Sequence, residues 1–215
     1  MSTYGPTNVA KMGKDQQMNT AKQTIQPAWV RITHWLNALA IVIMVFSGWQ
    51  IYNASPIFHF VFPKSVTLGG WLAGGIMWHF AAMWLLVANG LLYLAINLVS
   101  GRAWKKFLPI SPKAMARELY DAIRLRLGHQ DLSQYNMLQR AAYLFVWIDA
   151  LVLVCSGLVL WKSVQFPLLR DLFGGYNTAR VVHFVALALM VGFVIVHVVM
   201  VALVPRSFML MIRGR

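Results

Sequence analysis

The chain has 215 residues, 59% of them apolar and only 12% charged, yet its formal net charge is +13. Soluble domains are about 45–50% apolar and about 25% charged, so there are too few charges here to cover a water-exposed surface. A nucleic-acid partner is excluded as well, because its binder would carry a dense solvated basic face rather than islands of charge between apolar runs.

Residues 1–28 are polar, with Gln16, Gln17, Asn19 and Gln23 and no apolar stretch. They read as a disordered tail and not as a secretory signal, and the first span then acts as an uncleaved anchor. Residues 29–215 read as one membrane domain. Four segments, 33–53, 71–99, 138–161 and 179–204, reach the roughly 20 mostly apolar residues that cross a bilayer core of about 30 Å. Lipid offers no partner to a bare backbone group, so such segments are helical, and the runs lack the period-two alternation of a barrel. The fold class is therefore an all-α, four-helix transmembrane bundle.

Between the second and third spans, Ser111-Pro112 marks a helix start. Met115, Leu119, Ala122 and Ile123 then share one face, with Lys113, Arg117, Arg124 and Arg126 mostly elsewhere. This predicts an amphipathic surface helix at about 111–127, lying in the lipid headgroup layer. The one cysteine, Cys155, sits inside an apolar run and reads as a small core residue that says nothing of redox compartment.

Basic residues set orientation. Fifteen of the nineteen fall in the N-terminal stretch to Arg31, in the 102–140 connection or at the C-terminus, leaving only Lys64, Lys162, Arg170 and Arg180 on the opposite side. Both termini are expected to be cytoplasmic, in a bacterial inner membrane.

Of six histidines, His34, His79, His183 and His197 lie in spans, where ionisable residues are costly and mark function. His183 and His197 are 14 residues apart on one span. That spacing falls about 40° short of four full turns and separates them by about 21 Å along the axis, so one helix face offers a ligand near each membrane surface. Depth pairs His34 with His197 on the cytoplasmic side and His79 with His183 on the periplasmic side. Two separated imidazole pairs suit two b-type haems in a bundle core, whereas structural zinc wants four ligands at one depth. No Cys-x-x-Cys-His motif is present, so the haem would not be covalently attached. His59 and His129 read as loop residues.

A weak internal repeat runs through the chain. Arg31-Ile32-Thr33-His34 with Ser47-Gly48 aligns with Arg140-Ala141-Ala142-Tyr143 with Ser156-Gly157 at identical spacing, and Gly69-Gly70-Trp71 before His79 resembles Gly174-Gly175-Tyr176 before His183. This is the pattern of a parallel two-helix repeat about an axis along the membrane normal. It makes His79 and His183 symmetry mates, while His34 maps to Tyr143 and His197 to Tyr93. The half lined by Tyr93 and Tyr143 is a candidate quinone pocket; the rival reading is an interfacial tyrosine belt. Gly48 and Gly157 permit close approach of a macrocycle or of a helix. Asp149, the one acid within a span, suits a proton relay to quinone or a partner for arginine or propionate. Arg31 suits a haem propionate or snorkels to headgroups.

These residues resemble the bacterial di-haem cytochrome b superfamily of cytochrome b561 and the hydrogenase and formate dehydrogenase b subunits, and within it the thiosulfate-reductase-type branch. The resemblance covers about residues 27–215 and is carried by Arg31-Ile32-Thr33-His34-Trp35, Ser47-Gly48-Trp49-Gln50-Ile51-Tyr52-Asn53-Ala54, Gly90-Leu91-Leu92-Tyr93, Leu108-Pro109-Ile110-Ser111-Pro112 and the helix from Arg180 to His197. It implies four helices, two haems b on the four histidines, and electron exchange between membrane quinone and a separate catalytic subunit, commonly a molybdopterin or nickel–iron enzyme, here read as a periplasmic oxidoreductase of the molybdopterin kind. Docking would involve the 54–70 and 162–178 loops, with Lys64, Lys162 and Arg170 steering an acidic partner. The alternative is a stand-alone superoxide:quinone oxidoreductase, and a third class is a haem-free transporter or scaffold.

Overall fold

The structure, a computed structural model, describes residues 27–99, 120 and 137–214, without the side chains of 137–140, 206 and 207. The N-terminal tail up to residue 26, the surface helix expected at 111–127 and His129 lie outside the described residues. Apolar runs free of internal proline continue as unbroken helices: α1 (Ala28–Ala54), α2 (Leu72–Val99), α3 (Met137–Lys162), then a short α4 (Pro167–Leu172), α5 (Tyr176–Leu203) and α6 (Pro205–Arg213). A single 3₁₀ turn, Lys64–Val66, interrupts the α1–α2 loop. No strand occurs among the described residues. Among the described residues four helices are long and apolar enough to cross a membrane, and the chain is an integral membrane protein.

Proline sets several boundaries. Pro27 caps α1, and Pro167 and Pro205 open α4 and α6, since the missing N–H is no loss in a first helical turn. The turns into α2 and α5 use Gly69-Gly70 and Gly174-Gly175, all four at positive φ, a region only glycine enters freely. A side chain at Gly69 would also collide with the backbone of Gly75.

The helices pack closely as two hairpins, α1 with α2 and α3 with α5. In the first, buried Asn89 donates through Nδ2 to the Thr33 carbonyl (2.7 Å) and to Asn37 Oδ1 (2.7 Å). At the loop end, Arg180 of α5 donates to the carbonyl of Ser55 just after α1 (2.6 Å), joining the hairpins. At the terminal end, α6 folds back on α1: Arg31 Nη1 donates to the Ile212 carbonyl (2.6 Å) and Trp35 Nε1 to that of Met211 (3.1 Å). Neither α4 nor α6 is foreseen from the sequence, where both stretches are read as connecting or terminal segments.

Candidate functional site

The four span histidines meet as two pairs between the hairpins. The rings of His34 on α1 and His197 on α5 lie 6.1 Å apart, centroid to centroid, with planes at 63°. Those of His79 on α2 and His183 on α5 lie 6.5 Å apart, also at 63°. The first pair is at the terminal end and the second toward the loop end, two depths served by one face of α5.

The loop-end pair is held by matching arrangements in the two hairpins. Ser47 Oγ donates to the Ile43 carbonyl (2.6 Å) and lies 3.1 Å from His79 Nδ1. Ser156 Oγ donates to the Val152 carbonyl (2.6 Å) and lies 2.9 Å from His183 Nδ1. Each hydroxyl hydrogen is already committed to a helix carbonyl one turn back, so each serine oxygen is placed to accept the ring Nδ1–H, beside the backbone of Met44 for His79 and of Leu153 for His183. That bond fixes the tautomer and leaves Nε2 as the lone-pair nitrogen, as in metal sites whose ligand histidines are oriented by an outer partner.

The adjacent glycines make room for these rings. A Cβ on Gly48 would come to 3.6 Å from His79 Cε1, and one on Gly157 to 3.4 Å from His183 Cε1. In each hairpin the nearest neighbour of the glycine is thus an imidazole ring. Above this pair Tyr52, Phe58, Phe60 and Phe184 pack ring on ring, with Tyr52 4.9 Å from Phe184, an apolar roof at the loop end.

The terminal-end pair is mounted differently. Phe193 stacks on His197 at 5.9 Å and 17°, and Trp35 meets His34 edge-on at 5.5 Å. Half of this end is filled with aromatic rings, as Tyr93 lies 5.9 Å from Trp29 and 6.4 Å from Trp147. Tyr143 is half-buried on α3.

The chain matches the family described as prokaryotic cytochrome b561 over residues 25–214. It belongs to that family. A relative from Azospira oryzae, named as a putative protein-methionine-sulfoxide reductase subunit YedZ1, is 61% identical over 190 residues, covering 88% of this chain and 96% of the relative. Probable Ni/Fe-hydrogenase B-type cytochrome subunits from Azotobacter chroococcum and Azotobacter vinelandii are each 28% identical, covering 87% and 86% of this chain and 85% and 83% of the relatives. No solved structure matches significantly. Membership of the cytochrome b561 family carries a membrane electron-transfer role and binding of b-type haem.

The residues of this cytochrome fit that cofactor. Metal–imidazole bonds are about 2.0–2.1 Å long, which sets the centroids of two rings on opposite faces of one iron about 6 Å apart, close to both separations found. Among the described residues no three His, Cys, Asp or Glu side chains gather at one point, as four-coordinate zinc requires. The buried Nε of Arg31 has no hydrogen-bond partner among the described residues, leaving a donor free for an anionic group such as a propionate.

Asp149 is buried on α3 facing α5, apart from all four histidines' hydrogen bonds, and pairs with no arginine among the described residues. At the loop end, Arg170 is paired with Asp171 (Nη2–Oδ1 3.0 Å), Arg180 caps Ser55, and Lys162 lies over the Trp161 ring. Of the three cations expected to steer a partner, Arg170 thus has a carboxylate beside it, and Lys162 has an aromatic ring that leaves its charge in place. Ser47 and Ser156 are missing from the sequence-derived site, although the duplicated Ser-Gly pair was their signal.

Proposed function

We propose that this protein is a di-haem cytochrome carrying electrons between membrane quinone and an oxidoreductase subunit docked at its loop end. His34 and His197 would hold one haem, and His79 and His183 the other. The observation that carries this reading is the occurrence of two histidine pairs, each bridging the hairpins at iron-spanning separation, at two depths. When bound, haem supplies a one-electron ferric–ferrous couple. The chain's part is to fix the imidazoles: Ser47 and Ser156 orient the loop-end rings, the glycines beside them admit those rings, and the aromatic roof excludes water.

The basic-residue count supports termini in the cytoplasm and the loop end in the periplasm of a bacterial inner membrane. The duplicated Ser-Gly-His mounting supports a parallel two-helix repeat. At the loop end the surface is more apolar than cationic, since Leu168 and Leu172 of α4 are 86% and 81% exposed and Phe58, Phe60 and Val164 add to them. Such a face suits docking of a protein partner better than attraction of a small anion, which favours the subunit reading over the stand-alone superoxide reading. The Azospira relative's name points to a reductase of protein methionine sulfoxide as that partner, and a molybdopterin enzyme fits the family resemblance. Co-purification of a tagged chain with such a periplasmic subunit, lost on Leu168→Glu/Leu172→Glu substitution, tests this; a partner retained by the double variant counts against docking on α4.

A further inference from the structure

A groove of about 330 Å³ opens between α3 and α5, walled by Phe145, Val152, Val182, Val185 and Leu189. Its one polar lining residue is Asp149. The residue is 5% exposed, and Oδ2 reaches neither solvent nor any hydrogen-bond partner among the described residues. A buried carboxyl without a partner is costly in an apolar setting, and inside a membrane such a residue marks a ligand or proton pathway. Terminal carboxyl torsions are broad, so either oxygen can turn to the groove.

Depth narrows the occupant. Asp149 lies near the midpoint of α3 (Met137–Lys162), below the reach of phospholipid headgroups. What enters must dissolve in the bilayer interior, be mostly apolar, and present an O–H to the carboxyl. The volume is at the lower end of the range for small-molecule sites, about 300–1,000 Å³, which suits a flat ring system with its tail left in lipid. The groove also backs onto the mount of His183. Val182 precedes it in the chain, and the Val152 carbonyl accepts the Ser156 hydroxyl that in turn accepts His183 Nδ1–H.

We propose that the α3–α5 groove is the site for the quinol headgroup, with the Asp149 carboxyl accepting a hydrogen bond from a quinol hydroxyl. This rests on the quinone reading above and adds a location for it. That location is separate from Tyr93, whose ring lies beside those of Trp29 and Trp147.

The test uses haem-loaded protein in nanodiscs and the fluorescent quinol analogue 2-heptyl-4-hydroxyquinoline N-oxide, titrated by fluorescence quenching. Reduction of the haems by menadiol is followed in parallel. Asp149→Leu removes the acceptor, and Val185→Trp blocks the groove from its exposed rim, with the dithionite-reduced spectrum checking that each variant carries haem. The expected result is an analogue Kd raised tenfold or more in both variants, with menadiol reduction slowed by a similar factor. Wild-type affinity in both variants while the wild-type protein binds the analogue overturns the groove and leaves the quinone reading standing. A wild-type protein that neither quenches the analogue nor accepts electrons from menadiol removes the quinone reading, and the groove assignment with it.

Discussion

The hydroxyl oxygen of Ser156 lies 2.9 Å from Nδ1 of His183, and Ser47 stands to His79 in the same way at 3.1 Å. Each serine reaches across its own hairpin, so helix packing within the hairpin sets the direction of the ring that faces the other hairpin. Fixing a ligand's orientation and raising its basicity are what an outer hydrogen-bond acceptor does for a metal-bound imidazole.

Replacing Ser156 by Ala removes the hydroxyl acceptor from Nδ1–H, leaves only the backbone at Leu153 beside it, and keeps the ring room. Haem affinity at the loop-end pair is expected to fall about 10–100-fold. A less basic ligand stabilises the ferric form less, so the midpoint potential of the remaining loop-end haem should rise. A redox titration followed in the visible spectrum checks both, and Ser47→Ala should act in the same direction through His79.

Gly157 gives a steric prediction. A Cβ there would stand 3.4 Å from His183 Cε1, already in contact with the ring, so the two further methyls of a valine leave the imidazole little space. Gly157→Val should lose the loop-end haem, and Gly48→Ala, with 3.6 Å available, should keep it. Haem content per chain, measured after purification, separates the two.

Asn89 tests the first hairpin without touching the histidines. Its amide donates to the Thr33 carbonyl and to Asn37 Oδ1, and interhelical hydrogen bonds in membranes contribute about 0.6–2 kcal/mol. Asn89→Leu should therefore lower the thermal midpoint in detergent by a few degrees, with two haems still bound at low temperature. An unchanged midpoint would show that these bonds add nothing to the hairpin.

Much of this architecture was legible in the sequence. Four runs of sufficient length define the spans, and the 14-residue spacing of His183 and His197 sets two depths on one helix face, because helical rise and rotation are fixed by the backbone alone. The serine contacts were not legible, although Ser47-Gly48 and Ser156-Gly157 stood out as a duplicated pair. Which residue a serine reaches depends on how its helix is rotated against its neighbour, and spacing along one chain does not encode that rotation. The neighbours of the charges were not legible for a similar reason. Arg170 counts as a free cation in a composition, but its neighbour Asp171 curls back onto its guanidinium in the short helix α4. Likewise α6 spans only nine residues, too short and too charged to stand out as a helix. It holds through Arg31 and Trp35 donating to its last carbonyls.

Tyr93 packs beside two indole rings, its plane tilted 49° to that of Trp29 and 29° to that of Trp147. Tyr93→Phe should leave menadiol reduction of the haems within about twofold of wild type. A tenfold loss would return the quinone contact to the tyrosine half of the terminal end.

The central claim is that two histidine pairs bind two haems at two depths, and a pyridine haemochrome assay on the purified chain measures it most directly. The expected stoichiometry is two haems b per chain, falling to one in His197→Ala and to one in His79→Ala, with none in the double variant. A wild-type value of one, or a haem content unchanged by either substitution, would contradict the account.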